Sequence, residues 1–221
     1  MKLIWNITLV LMLSEFVIAS MVSAYRELTP FTQGFGLGQL QHAVDLSPRD
    51  VPLGISSFSR QVSLTDCIRV ATSLRIRTRR SEVFQGWLAS CQDAAMETTA
   101  SFPTMAFAWC VAADASAELG ERVRFNDHFQ TCRKNAVNEY WLANMRFETA
   151  TRHLWMLDDT SRANLDRDIA VMLSTEKGRV VLARRYVRQP GVRALISQIA
   201  DQSTSEIKRA FLFRLKQAAN S

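Results

Sequence analysis

Residues 104–140, TMAFAWCVAADASAELGERVRFNDHFQTCRKNAVNEY, predict two helices joined by a tight turn. The first half is rich in Ala and lacks both Gly and Pro before Gly120, a composition that favours helix. Glycine commonly ends a helix because it adopts the left-handed backbone conformation without steric cost. The second half, from Val123 to Val137, again lacks helix breakers. We therefore expect an antiparallel hairpin whose turn lies at Gly120.

The cysteines support this hairpin, because an even number of them in an exported chain is typical of disulfide bonds. The four are Cys67, Cys91, Cys110 and Cys132. Two residues at the same height in an antiparallel hairpin are equally far from its turn. For Cys110 and Cys132 the midpoint is Glu121, beside the predicted turn. For Cys67 and Cys91 it is Arg79, in the turn-like segment TRRS. We therefore expect the disulfides Cys67–Cys91 and Cys110–Cys132.

Three alternatives to this pairing stay open. Pairing Cys91 with Cys110 also puts the midpoint in a predicted turn. That choice leaves Cys67 and Cys132 on helices that are not adjacent. His128 and Cys132, four residues apart on one helix face, could instead bind zinc with two further cysteines. Finally, all four thiols could remain reduced in the core.

The cysteines also align two similar segments. Phe84-x-x-Trp87-Leu88-x-x-Cys91-x-x-x-Ala95 matches Phe125-x-x-His128-Phe129-x-x-Cys132-x-x-x-Ala136. A helix pair that recurs after about 40 residues is typical of α-hairpin repeat proteins. The segment from Thr104 to Tyr140 resembles a tetratricopeptide unit in the spacing of its small and aromatic residues. The resemblance implies stacked antiparallel helical hairpins that bind a protein partner in their groove.

Helix-start signals recur outside this segment. The predicted helices begin near Ser63, Ser81, Ser101, Val123, Asn138, Asp158, Ser174 and Ser203, with a short helix after Pro190. No segment alternates between apolar and polar residues, so we predict an all-α domain over residues 63–221. Residues 25–62 are rich in turn-forming residues, which predicts a membrane-proximal linker with one short helix near Leu40–Val44.

The N-terminal residues 1–24 predict a membrane segment. Residues 3–22, LIWNITLVLMLSEFVIASMV, are long enough as a helix to cross a bilayer core of about 30 Å. Small residues at Val22-Ser23-Ala24 also suit signal-peptide cleavage, but the length of the run favours an uncleaved anchor. Both alternatives put the rest of the chain across the membrane, because Lys2 stays inside. We expect a single-pass inner-membrane protein with a periplasmic C-terminal domain, or a secreted periplasmic protein after cleavage.

Glu15 lies near the centre of this apolar run. An acidic side chain that faces lipid at a helix centre costs about 2.5–3.5 kcal/mol. We therefore expect Glu15 to contact a partner helix in the membrane if the anchor is retained.

Arginine-rich stretches are the candidate anion-binding sites. The chain carries a formal net charge of +6, which suits an acidic partner, although its charges are interleaved along the predicted helices. The candidate residues are Arg75, Arg77, Arg79, Arg80, Arg184, Arg185 and Arg188. Guanidinium groups there would bind phosphate or carboxylate as planar forks. Nucleic acid is not an expected partner.

No catalytic signature or metal motif stands out around His42, His128 or His153, and we expect no cofactor. Asp158-Asp159 is interpreted as a helix N-terminal cap rather than a metal-binding pair. The layout resembles small single-pass helical proteins of bacterial envelope and polysaccharide loci. The sequence therefore predicts a non-enzymatic, membrane-tethered scaffold or accessory subunit with a protein partner in the membrane or periplasm. An anion-binding module and an enzyme with an unrecognised site are the alternatives.

Overall fold

The computed structural model describes residues 2–33, 51–72 and 81–220, and every regular element in these ranges is helical. The predicted all-α class is therefore confirmed for this part of the chain. The α-helices are α1 (Lys2–Gln33), α2 (Ser57–Thr72), α3 (Ser81–Ser101), α4 (Ala106–Glu118), α5 (Arg122–Asn135), α6 (Tyr140–Arg152), α7 (Asp159–Ser174), α8 (Glu176–Arg188), α9 (Arg193–Gln202) and α10 (Ser205–Ala219). Short 3-10 helices at Leu154–Met156 and Pro190–Val192 precede α7 and α9.

Several predicted helix boundaries are corrected by the structure. Ser101 ends α3 rather than opening α4, which begins three residues after Pro103, at Ala106. Helix α2 begins at Ser57 rather than at Ser63. Helix α1 continues through the predicted segment end at residue 24 to Gln33. The predicted linker at residues 25–62 is therefore helical at both of its described ends, and the short helix expected near Leu40–Val44 lies outside the described residues.

The polar caps of α7, α8 and α10 explain where these helices begin. The Asp158 side chain accepts a hydrogen bond from the Ser161 backbone N–H at 2.7 Å, as its interpretation as a cap predicted. Thr175 caps α8 through the Gly178 N–H. Thr204, rather than the predicted Ser203, caps α10.

The described residues up to Phe102 form one compact unit. In this first unit α2 packs against both α1 and α3. Its interior contains Leu64 from α2 together with Trp87, Leu88 and Ala95 from α3, all nearly inaccessible to solvent. Apolar residues three and four positions apart line one face of α3, which is why this face is buried.

Residues 103–221 form the second unit, with α4 through α10 around one apolar core. Helix α4 pairs with α5, α6 with α7, and α7 with α8; helix α8 then pairs with α10, while the short α9 packs on α7. Phe125, Phe129, Phe147, Leu165 and Ile169 are fully buried in this core. Gly120 ends the turn after α4 with φ = 79°, the conformation expected of glycine at this position.

Candidate functional site

Each compact unit contains one disulfide, and the pairing is the predicted one. Cys67 of α2 is bonded to Cys91 of α3, with Cα atoms 5.6 Å apart. Cys110 of α4 is bonded to Cys132 of α5, with Cα atoms 5.2 Å apart. Cys132 is therefore not available for the alternative zinc site with His128. Within the described residues there is also no group of three or more metal-binding side chains.

The N-terminal helix is the one described helix long and apolar enough to cross a membrane. The qualifying stretch is Trp5–Thr32, 28 residues long, and none of its apolar window is buried against the rest of the chain. Glu15 is exposed on this helix, and no hydrogen bond or ion pair to it occurs among the described residues. The helix thus presents an apolar surface with one acidic side chain near its middle.

Glu27 connects the end of α1 to the start of α2 within the first unit. Its carboxylate accepts hydrogen bonds from the Ile55 N–H at 2.8 Å and the Ser56 N–H at 3.0 Å. The hydroxyls of Ser56 and Ser59 donate to the same carboxylate. These donors belong to the segment that leads into α2, where backbone N–H groups lack partners inside the helix. Glu27 therefore fixes α1 to the helix that carries Cys67.

The structure separates the candidate arginines. Arg75, Arg77, Arg79 and Arg80 lie outside the described residues. Arg185 is half-buried, and its guanidinium binds Glu148 of α6, with Nε donating to Oε1 at 3.0 Å. Arg188 is exposed at the end of α8. Arg184 is exposed and lines a cleft beside Arg214 of α10, a residue that the sequence analysis did not single out.

A buried ionic cluster in the second unit also escaped the sequence analysis. Asp168 of α7 has 0% exposure and accepts hydrogen bonds from Arg133 of α5 and Arg146 of α6. Arg146 is itself 1% exposed and holds both carboxylate oxygens at 2.7 Å. Burial raises the pKa of Asp168 and lowers that of Arg133, and the attraction between their charges works against both changes. The cluster connects three helices in the core and is closed to solvent, so its role is structural.

A second acidic cluster joins α4 to α6. Asp114 is buried and accepts hydrogen bonds from Thr149 and Arg152. Glu118, one turn further along α4, pairs with Arg152 at 3.4 Å and contacts the His153 ring at 3.2 Å. Both carboxylates are thus held by side chains of the neighbouring helix.

His128 is buried in the hairpin of α4 and α5 rather than placed for catalysis. Its Nδ1 lies 3.2 Å from the Ser116 hydroxyl, which has no exposure to solvent. A nucleophile needs access to its substrate, so this Ser–His contact stabilises the hairpin instead. Burial lowers the pKa of His128, and the nearby Ala112 carbonyl works against that shift.

Two tryptophans of the second unit lie at its surface. Trp155 in the first 3-10 helix is 70% exposed. Trp141 is 46% exposed, and its indole N–H donates to Glu139 at 3.1 Å. Exposed tryptophans are enriched where proteins bind one another.

No known family model, curated protein or solved structure matches this chain. The candidate function therefore rests on the geometry of the chain itself.

Proposed function

We propose that the chain is a membrane-tethered accessory protein that holds a protein partner in an envelope complex. In a bacterial cell its helical units would stand in the periplasm, and polysaccharide assembly or export is the process that the chain's layout suggests. The observation that carries this proposal is the exposed apolar helix α1, which carries the Glu15 carboxylate near the middle of its membrane-length stretch.

The two disulfides support the location across the membrane. Disulfides persist in oxidising compartments such as the periplasm and are rare in the cytosol. Both pairs join neighbouring helices of their unit, so both units would depend on an oxidising environment for this stabilisation. A chain that is anchored by α1 and oxidised beyond it satisfies both observations.

Glu15 supports a partner inside the membrane. A carboxylate that faces lipid costs about 2.5–3.5 kcal/mol, whereas contact with a polar or basic group of another helix offsets this cost. The neighbouring Ser14 on the same helix does not satisfy this carboxylate, because its hydroxyl donates to the Leu11 carbonyl. The exposed Trp141 and Trp155 offer further contact area to a partner outside the membrane.

Replacement of Glu15 tests the proposed membrane contact. We expect Glu15→Leu to insert into the membrane as well as the natural chain does, because the change removes a charge from the apolar run. The same variant should lose a partner that co-purifies with the natural protein in mild detergent, as quantified by mass spectrometry.

Phe16→Leu is the matched control, because Phe16 is also exposed on α1 and the change keeps the helix apolar. It should retain both insertion and partner. The contact at Glu15 is refuted if Glu15→Leu retains every partner in the same amount as Phe16→Leu.

A further inference from the structure

A small cleft lies between α8 and α10 in the second unit. It has a volume of about 160 Å³ and is lined by Val180 and Arg184 of α8 and by Arg214, Gln217 and Ala218 of α10. Water occupies about 30 Å³ per molecule in the liquid, so the cleft has room for a small polar group and some of its hydration. Its lining combines two guanidinium groups and an amide with two apolar side chains.

Positive charge exceeds negative charge around this cleft. Arg214 binds Glu176 at the start of α8, and it also donates to the Gln217 side-chain oxygen at 2.6 Å. Glu176 is shared with Arg179, which donates to it at 2.9 Å. Hydrogen bonding from Arg179 and the charge of Arg214 lower the pKa of Glu176, so this carboxylate is ionised and balances only one of its two arginines.

Arg184 adds a further positive charge at the same place. It is exposed, and no ion pair or hydrogen bond of its side chain occurs among the described residues. Its neighbour Arg185 is turned toward Glu148 and is thereby compensated. The amide group of Gln217 carries two N–H donors in addition to the oxygen that Arg214 uses.

We propose that the α8–α10 cleft binds a small oxyanion group, a phosphate or a carboxylate, between Arg184 and Arg214. Guanidinium forks bind such groups through paired, charge-assisted hydrogen bonds, and Gln217 supplies neutral donors beside them. The ligand competes with Glu176 for Arg214, so the internal carboxylate lowers the affinity of the site without closing it. This site is independent of the membrane contact proposed for Glu15.

Calorimetric titration of the full-length protein in a non-ionic detergent at low ionic strength tests the site. Inorganic phosphate and glucuronate are the two probes, and they distinguish a phosphate from a carboxylate ligand. We expect saturable binding of at least one probe that weakens as NaCl is added, because screening reduces attraction between exposed charges. Arg184→Gln should weaken that binding by about ten-fold or more, the loss expected for hydrogen bonds to a charged group.

Two further variants make the test specific to the cleft. Arg188→Gln removes the same charge from the same helix outside the cleft, so its affinity should stay within about two-fold of the natural chain. Glu176→Gln should bind the probe more tightly than the natural chain, because it releases Arg214 from its internal partner. The proposal is overturned if neither probe binds, if Arg184→Gln and Arg188→Gln weaken binding equally, or if Glu176→Gln does not bind more tightly.

Discussion

Asp168 forms ion pairs with two arginines in the interior of the second unit, and its carboxylate compensates their positive charges there. Removal of one partner from a buried ionic group is costly because it leaves charge without compensation in a poorly solvating interior. Removal of Asp168 carries this cost for two buried charges, since Arg133 and Arg146 both form their ion pair with it.

Asp168→Asn is therefore expected to lower the free energy of unfolding of the second unit by about 3–5 kcal/mol. Asp166→Asn on the same helix is the matched control and should change it by about 0.5 kcal/mol, because Asp166 is only half-buried. Denaturant unfolding of the full chain in non-ionic detergent measures both. Equal losses in the two variants would show that the buried cluster contributes no more to the free energy of unfolding than the half-buried Asp166 does.

His128 gives the second unit a dependence on pH whose sign follows from its lowered pKa. In the unfolded chain a histidine titrates near pH 6.5, whereas burial lowers the pKa of His128 in the folded chain. Below pH 6.5 the unfolded chain therefore binds more protons than the folded chain, and stability declines as the pH falls. Above this pH the contribution of His128 is fully present.

His128→Gln should reduce the loss of stability that accompanies acidification. Urea unfolding at about pH 7.5 and about pH 5.5 gives two free energies for each protein, and the difference between them should be smaller in the variant than in the natural chain. Glutamine is chosen because its amide offers a hydrogen-bonding group to the Ser116 hydroxyl, which His128 contacts in the natural chain. A loss of the same size in both proteins would show that His128 does not cause this pH dependence.

The connection from α7 to α8 brings the backbones of these two helices into close approach at Gly178. A Cβ atom added there would lie 2.1 Å from the Met172 carbonyl oxygen and 2.6 Å from its carbonyl carbon. Neither atom can move without shifting the end of α7. In contrast, a Cβ atom added at Gly191, in the second 3-10 helix, would meet nothing within 4 Å.

Gly178→Ala is expected to destabilise the second unit by about 1–3 kcal/mol, the usual cost of forcing extra atoms into a packed contact. Gly191→Ala is its control and should be neutral or stabilise by about 0.4–1 kcal/mol, because it restricts the unfolded chain. Thermal unfolding measures both changes. Similar midpoints for the two variants would mean that the contact between α7 and α8 relaxes freely.

The helices and their disulfides were predictable because their signals are local. Gly120 and Asp158 act on the backbone within a few residues, and the positions of Cys110 and Cys132 at equal distances from one turn favoured their pairing over the alternatives. The ionic cluster was not predictable, because Asp168 lies 35 residues from Arg133 and 22 from Arg146 along the chain. Partners at such separations are determined by helix packing.

The candidate anion site was not predictable from the sequence for the same reason. The sequence predicted anion binding equally for Arg184, Arg185 and Arg188, since sequence spacing cannot distinguish a solvated arginine from a paired one. Packing then assigned Arg185 to Glu148 and placed Arg184 beside Arg214 of α10. Only the contact between α8 and α10 reveals this pair.

The continuity of α1 bears on whether the chain keeps its N-terminal segment. Cleavage after Ala24 would cut inside a helix that runs without interruption from Lys2 to Gln33. Proteases prefer exposed, irregular segments, because the backbone must leave its hydrogen-bonded helix to be cut. Beyond Ala24, Glu27 fixes the end of the helix to the segment before α2 and so opposes local unwinding.

We therefore expect the mature protein to retain α1 and to behave as a single-pass membrane protein. Its intact mass should include the residues before Tyr25, it should resist extraction from membranes at alkaline pH, and a reporter fused at Ser221 should be detected only across the membrane. Ser20→Pro provides the matched test of the physical reason, because proline disrupts a helix interior and should make the unchanged Val22-Ser23-Ala24 segment accessible to cleavage. A mature natural protein that begins at Tyr25 and fractionates as soluble would rule out the anchor, and with it the membrane contact at Glu15. The α8–α10 cleft would remain, since all its residues lie in the second unit.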